Sequence, residues 1–176
     1  MGHTHIAMVS TFGRNSNFDI RDRMFFSAMD KYLPDSPKIF VSETGIRNPD
    51  MDSSYSLTKR LLTDHPEVTA IICLNDLMAY GVIQAAAYFN KSVPDELSVI
   101  GMDDIYISRN FNPTVTSIGF DKREYGMMAF ELLYNHIKKN IIKDREYWNL
   151  YSASNGAPLE GNPIRIYNPL TNANMS

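Results

Sequence analysis

Apolar residues in this chain gather in short runs, and each run is followed by a longer stretch with helical spacing. The first run is Ile6-Ala7-Met8-Val9, broken at Ser10-Thr11-Phe12-Gly13. From about Asp19 to Leu33 a helix is predicted, with Met24 and Ala28 on one face and Phe25, Met29 and Tyr32 on another. Pro34 and Pro37 end it. Lys38-Ile39-Phe40-Val41 is the second run. After a polar loop with Gly45 and Pro49, Asp52 or Ser53 is placed to cap a helix carrying Leu57 and Leu61 one turn apart. Thr69 to Leu74 is continuously apolar, as expected of a strand covered on both faces. Asn75-Asp76 then opens a helix with Met78, Val82, Ala85 and Phe89 in one stripe. Leu97 to Gly101 is a fourth strand, ending at Asp103-Asp104, and Val115 to Ile118 a fifth. Behind it, a helix from about Asp121 to Lys139 aligns Gly126, Phe130, Leu133 and Ile137. Strands alternating with helices of ten or more residues predict an α/β fold: a three-layer, doubly wound, mostly parallel sheet. Past Asn140 the pattern decays, and only Ile164-Arg165-Ile166-Tyr167 suggests an element.

Composition narrows the function classes. The chain has 176 residues, 44% of them hydrophobic, which is enough for one domain with a real core. Its net charge of −3 does not give the basic footprint of a nucleic-acid-binding domain. Cys73 is the one cysteine and sits in an apolar run, so it reads as a small buried hydrophobe. No apolar stretch reaches the ~18 residues of a membrane span. The amino terminus lacks a signal peptide's basic start and apolar middle, so a cytoplasmic location with no membrane partner is expected. Met78, Met127 and Met128 read either as core filler or as a subunit contact.

Ligands of an open parallel sheet bind outside the carboxyl ends of its strands. Those ends carry Thr11, Gly13 and Arg14; then Ser42 and Glu43; then Asn75 and Asp76; then Asp103 and Asp104. Arg21 and Arg23 are expected near the same edge. Carboxylates, an amide and guanidinium groups supply both acceptors and donors to a polyol. Taken singly, Asn75 and Asp76 also suit helix caps, and Asp103-Asp104 suits a turn. Four strand ends together favour a ligand rim. Motifs for catalysis are missing. There is no glycine-rich phosphate loop, and neither Ser10 nor Ser42 lies in a nucleophile turn. His3, His5, His65 and His136 are scattered, so no catalytic residue, metal or cofactor is expected.

The stretch from Thr69 to Gly81, with Asn75-Asp76 after a buried strand and Met78-Ala79-Tyr80-Gly81 on the helix, resembles the LacI family of transcription regulators. So does Val93-Pro94-Asp95-Glu96-Leu97-Ser98-Val99-Ile100-Gly101-Met102-Asp103-Asp104. Pro113 to Ile118, followed by Glu124, Gly126 and Ala129, is similar to a third motif, and Gly2-His3 with Arg21 and Arg23 to the start of the family's carboxyl-terminal lobe. The resemblance covers residues 2 to about 139. It implies the carboxyl-terminal part of a periplasmic-binding-protein-like type I effector domain, with 1–140 as the effector-binding lobe. Within that, 115–139 matches a strand–helix unit of the other lobe, and 141–176 is an atypical carboxyl-terminal tail. It implies ligand contacts at Arg23, Asn75 and Asp103, with Phe12, Tyr55 and Tyr106 as weaker aromatic candidates. The implied function is effector sensing, of a sugar first or a nucleobase, in a repressor rather than an activator. DNA would be reached only through a headpiece that these residues lack, and the partner is expected to be a second copy in a homodimer. The alternatives are a periplasmic or lipoprotein solute-binding protein of a sugar transporter, and an enzyme, which no motif supports.

Overall fold

Five short apolar runs become five parallel strands in the computed structural model, which describes residues 2–11, 16–43, 50–110, 112–139 and 165–167. In chain order the elements are β1 (Ile6–Val9), α1 (Ser16–Tyr32), β2 (Ile39–Val41), α2 (Met51–Asp64), β3 (Ala70–Cys73) and α3 (Asp76–Tyr88). There follow β4 (Ser98–Met102), α4 (Tyr106–Asn110), β5 (Thr116–Gly119), α5 (Lys122–Lys139) and β6 (Arg165–Tyr167). The sheet order is β2-β1-β3-β4-β5-β6. Strands β1 to β5 pair in parallel, and β6 runs antiparallel against β5. The expected doubly wound α/β sheet is therefore present. Its tail strand is the segment around Ile166, while the rest of 141–176 lies outside the described residues.

Side chains alternate across a pleated strand, so register sorts the core into two layers. Ala7, Ile71 and Val99 share a row on one face, and all are buried beneath α2 and α3. Met8, Phe40, Ile72 and Ile100 share the other, where α1 sits with its Phe26 ring 5.3 Å from that of Phe40. On α1 the buried face is Phe25 and Met29. Met24 and Tyr32 are exposed, so of the two predicted stripes the aromatic one packs, though not over its whole length. Met78, Val82 and Ala85 of α3 are fully buried, as their spacing predicts.

Helices α2 and α3 approach closely because position 81 is glycine. A Cβ there would stand 2.0 Å from Ser54 Oγ and 2.2 Å from the Met51 carbonyl oxygen. The start of α2 corrects one expectation. Neither Asp52 nor Ser53 is the cap. Asp50 is, with extended backbone (φ −133°, ψ 179°) and its carboxylate accepting the Ser53 N–H at 2.9 Å. Three short polar residues compete here, and the cap is the one whose side chain reaches an N–H three residues on. Two features lay beyond the hydrophobic pattern: the five-residue α4, too short to show a period, and the surroundings of α5. Phe130, Leu133 and Ile137 do align on α5, but each is at least 60% exposed, and Met127 and Met128 are exposed with them.

Two stability measurements follow. Gly81→Ala should lower stability by about 1–3 kcal/mol through overpacking, against a slight gain in helix propensity, read as a lower urea midpoint. Asp50→Ala should cost about 1 kcal/mol near neutral pH. Hydrogen bonds from Ser53 hold the Asp50 carboxyl below its ordinary range. Its contribution is therefore present above that ordinary range and is lost as acid protonates it, so the gap between variant and parent should close at low pH.

Candidate functional site

Parallel pairing carries the carboxyl ends of β1 to β4 to one edge, and the polar residues after each strand form a rim there. After β1, Ser10 Oγ donates to Asp22 Oδ1 of α1 at 2.7 Å. Thr11 is 1% exposed, and its hydroxyl has no hydrogen-bond partner among the described residues. The centre of the rim is Arg21. Its guanidinium donates to the Leu74 carbonyl at 2.5 Å and to Asp103 Oδ1 at 2.9 Å, so it ties the ends of β3 and β4 together. Both charged side chains are about one-third exposed. Solvent screening limits such a pair to about 1 kcal/mol, so its importance is geometric. Asp103 itself sits at φ 97°, where side-chain-bearing residues are rare, and its N–H donates to the Ile118 carbonyl at 2.8 Å.

Beside it, Asn75 caps α3: its Oδ1 accepts the Met78 N–H at 2.9 Å. Asp76 is wholly buried below the rim. Its Oδ2 accepts from the Ile105 N–H at 2.9 Å and the Ser108 hydroxyl at 2.6 Å, and its Oδ1 from the Ser117 hydroxyl at 2.5 Å. Burial pushes its carboxyl up from the usual range, the three donors oppose that rise, and the negative charge of Asp103 adds to it. Asp104, at φ 44°, pairs with Arg109 of α4, and its carbonyl accepts from Lys122 of α5. Burial also pushes the Tyr80 phenol up; that hydroxyl donates to the Ile107 carbonyl at 3.1 Å.

Of the residues expected to touch a ligand, Asn75 and Asp103 follow neighbouring strands, and Arg21 bonds Asp103 and the Leu74 carbonyl next to Asn75. Arg23 is exposed on α1. Arg23 leaves α1 about 200° around the helix axis from Arg21. Tyr55 is half-buried on α2, with the Lys59 ammonium 5.4 Å from its ring centre, and Tyr106 opens α4 at 81% exposure. Phe12, Gly13 and Arg14 lie outside the described residues. The Asp22 and Arg21 contacts, and the Ser108 and Ser117 hydroxyls below the rim, were not anticipated. The serines give no sequence signal. A cavity of about 370 Å³ opens at the other end of the sheet. Its lining is mostly apolar (Ile6, Ile72, Ile83, Val93, Ile100), it shares no residue with the rim, and it does not offer the rim's hydrogen-bonding chemistry.

Residues 1–151 match the family model of the periplasmic binding protein-like domain. The chain belongs to that family, and the relatives it resembles within it are LacI-type transcription regulators. It is 32% identical over 150 residues to the HTH-type transcriptional repressor PurR of Histophilus somni strain 2336, a match covering 85% of this chain and 44% of that protein. PurR of Vibrio parahaemolyticus is 33% identical over 150 residues, covering 83% and 43%. The chain thus spans less than half the length of these relatives. Among solved structures, a LacI family regulator from Enterococcus faecium with bound ribose aligns at TM-score 0.67 and 28% identity, covering 82% of this chain and 51% of that one. One from Arthrobacter sp. FB24, in complex with lactose, aligns at TM-score 0.71 and 23% identity, covering 83% and 53%, and speaks for the fold alone. These relatives are regulators and not enzymes. No helix among the described residues is long and apolar enough to cross a membrane.

Cys73 lies directly before this rim and is fully buried, and burial pushes its thiol up, far from thiolate formation at neutral pH. Ellman's reagent should find no reactive thiol in the native chain and one after urea is added.

Proposed function

We propose that this chain is the effector-sensing lobe of a LacI-type transcription regulator, a repressor rather than an activator, and that it grips a small polar molecule at the rim of β1 to β4. The observation that carries this reading is the Arg21 guanidinium held between the Leu74 carbonyl and Asp103, with Asn75 alongside. Such a cluster matches the paired donors and acceptors of a sugar ring, and a nucleobase edge is the second choice. Asp103 accepts from ligand hydroxyls, the Asn75 amide and Arg23 donate, and Arg21 orients Asp103. Tyr55, Tyr106 and Phe12 are the aromatic side chains that would stack on a guest. The ribose bound in a structurally similar regulator supports the sugar class. The repressor names of the relatives favour regulation over solute transport.

Sensing of this kind works by differential affinity: the guest binds one lobe arrangement better than another, and that difference shifts the affinity of the whole regulator for DNA. DNA contact belongs to a headpiece outside these 176 residues, a reading supported by the net charge of −3. We read 1–140 as the effector lobe and the unit from Val115 to Lys139 as part of the opposite lobe; the exposed row Phe130, Leu133 and Ile137 supports that assignment. The working form is a cytoplasmic homodimer that needs no cofactor and catalyses no reaction.

A thermal-shift panel of ribose, lactose and adenine tests the reading. A ligand at ~100 times its Kd should raise the melting temperature by about 5–10 °C. Asp103→Asn should weaken binding at least tenfold while the unliganded chain melts near its usual temperature. No shift with any of the three, here and in the longer protein, would sink the sensing assignment. In a gel-shift assay the chain alone should leave DNA unretarded.

A further inference from the structure

We propose that Asp76 is the positioning residue of the rim: its carboxylate fixes the turn that presents Asp103, although it touches no ligand itself. This rests on the sensing reading of the same rim. Asp76 follows Asn75 in the first turn of α3, so one helix end supplies both a rim residue and the anchor beneath it. The anchor reaches three separate pieces of chain. It accepts from Ile105 in the loop after β4, from Ser108 of α4 and from Ser117 of β5. Ser117 then works as a relay, because the same hydroxyl that donates to Asp76 accepts the Asp104 N–H at 2.9 Å.

Three consecutive backbone amides are held in this way. Asp103 N–H goes to the Ile118 carbonyl, Asp104 N–H to Ser117, and Ile105 N–H to Asp76. Two of these residues carry positive φ, 97° at Asp103 and 44° at Asp104. A non-glycine residue keeps such a conformation only where its surroundings over-determine it, and here the buried carboxylate is the common end of two of the three tethers. The sequence leaves room for it. A Cβ on Gly101 would lie 2.2 Å from Asp76 Oδ1 and 3.0 Å from its Cα, so the carboxylate fills the place of a side chain on β4. A buried carboxylate serving only the stability of α3 would have no need of donors in the loop after β4, on α4 and on β5 together. Their convergence below Asp103 is what a positioning role requires.

The test separates position from stability. Asp76→Asn keeps the shape but replaces one of the two acceptor oxygens with an NH2 group, which faces Ser117 in the place of Oδ1, or Ile105 and Ser108 in the place of Oδ2. Ser117→Ala is the milder second variant, cutting only the relay. Val68→Ala, in the core at the far end of β3, is the stability control. In the unliganded chain, Asp76→Asn should speed hydrogen exchange of the Asp103 and Asp104 amides at least tenfold; Ser117→Ala should do so to a smaller degree. Val68→Ala should leave both amides slow. Binding of whichever of ribose, lactose or adenine stabilises the parent should weaken about tenfold in Asp76→Asn. The double variant Asp76→Asn/Asp103→Asn should bind no worse than Asp103→Asn alone, since one residue acts through the other. Parent-like exchange and binding in Asp76→Asn, or full additivity with Asp103→Asn, overturns the proposal while leaving the sensing reading intact. If none of the three compounds binds the parent, the sensing reading fails, and the exchange rates of Asp103 and Asp104 still decide whether Asp76 holds the turn.

Discussion

Parallel register is the constraint from which the rest follows. Strands that all run one way deliver all their carboxyl ends to one edge, where the backbone must leave the ladder and polar groups must find new partners. In this chain that edge receives Thr11, Asn75 and Asp103 from three adjacent strands, and α1 lays Arg21 across two of them. At the opposite edge His3 bridges Thr69 and Ser98, and the cavity there is walled mostly by isoleucine, valine and proline. One end of the sheet therefore carries a cluster of charged and amide groups, and the other a mostly apolar lining. That polarity was built by topology before any ligand was considered.

Most of the fold could be read from the chain because the core obeys simple periods. Met78, Val82 and Ala85 are spaced as a helix stripe and are buried as one, and Ile71 and Val99 face the same helix layer as their strand register requires. Reading failed where short-range chemistry outweighed period. Asp50 took the cap from two polar neighbours by reaching Ser53, and α4 is held by hydroxyl and carboxylate bonds through Ser108 and Arg109, not by an apolar stripe. The rim was half legible. Strand ends announced Asn75 and Asp103, but Arg21 and Arg23 are the same residue type two positions apart, and only rotation about the helix axis distinguishes them. Ser117 looked like any strand serine, because what matters about it lies 41 positions away, at Asp76.

The α2–α3 pair and α5 behave differently for a physical reason. Between α2 and α3 the backbones come together over Gly81, and Leu57, Leu61 and Val82 vanish from the surface. Helix α5 has an equally apolar row, yet Phe130, Leu133 and Ile137 remain open to water. Apolar exposure on that scale weighs against α5 being a finished surface, in contrast to the scattered single residues that any monomer displays. The core is drawn from the sheet and its first three helices, and the α5 row takes no part in it.

The left-handed backbone at Asp103 and Asp104 has a consequence for the speed of recognition. A turn already locked by its own amides needs no ordering when a guest arrives, so the entropy of shaping that corner was lost during folding. Encounter should then be limited by diffusion and desolvation, and differences between competing guests should appear in how long they stay rather than in how fast they enter.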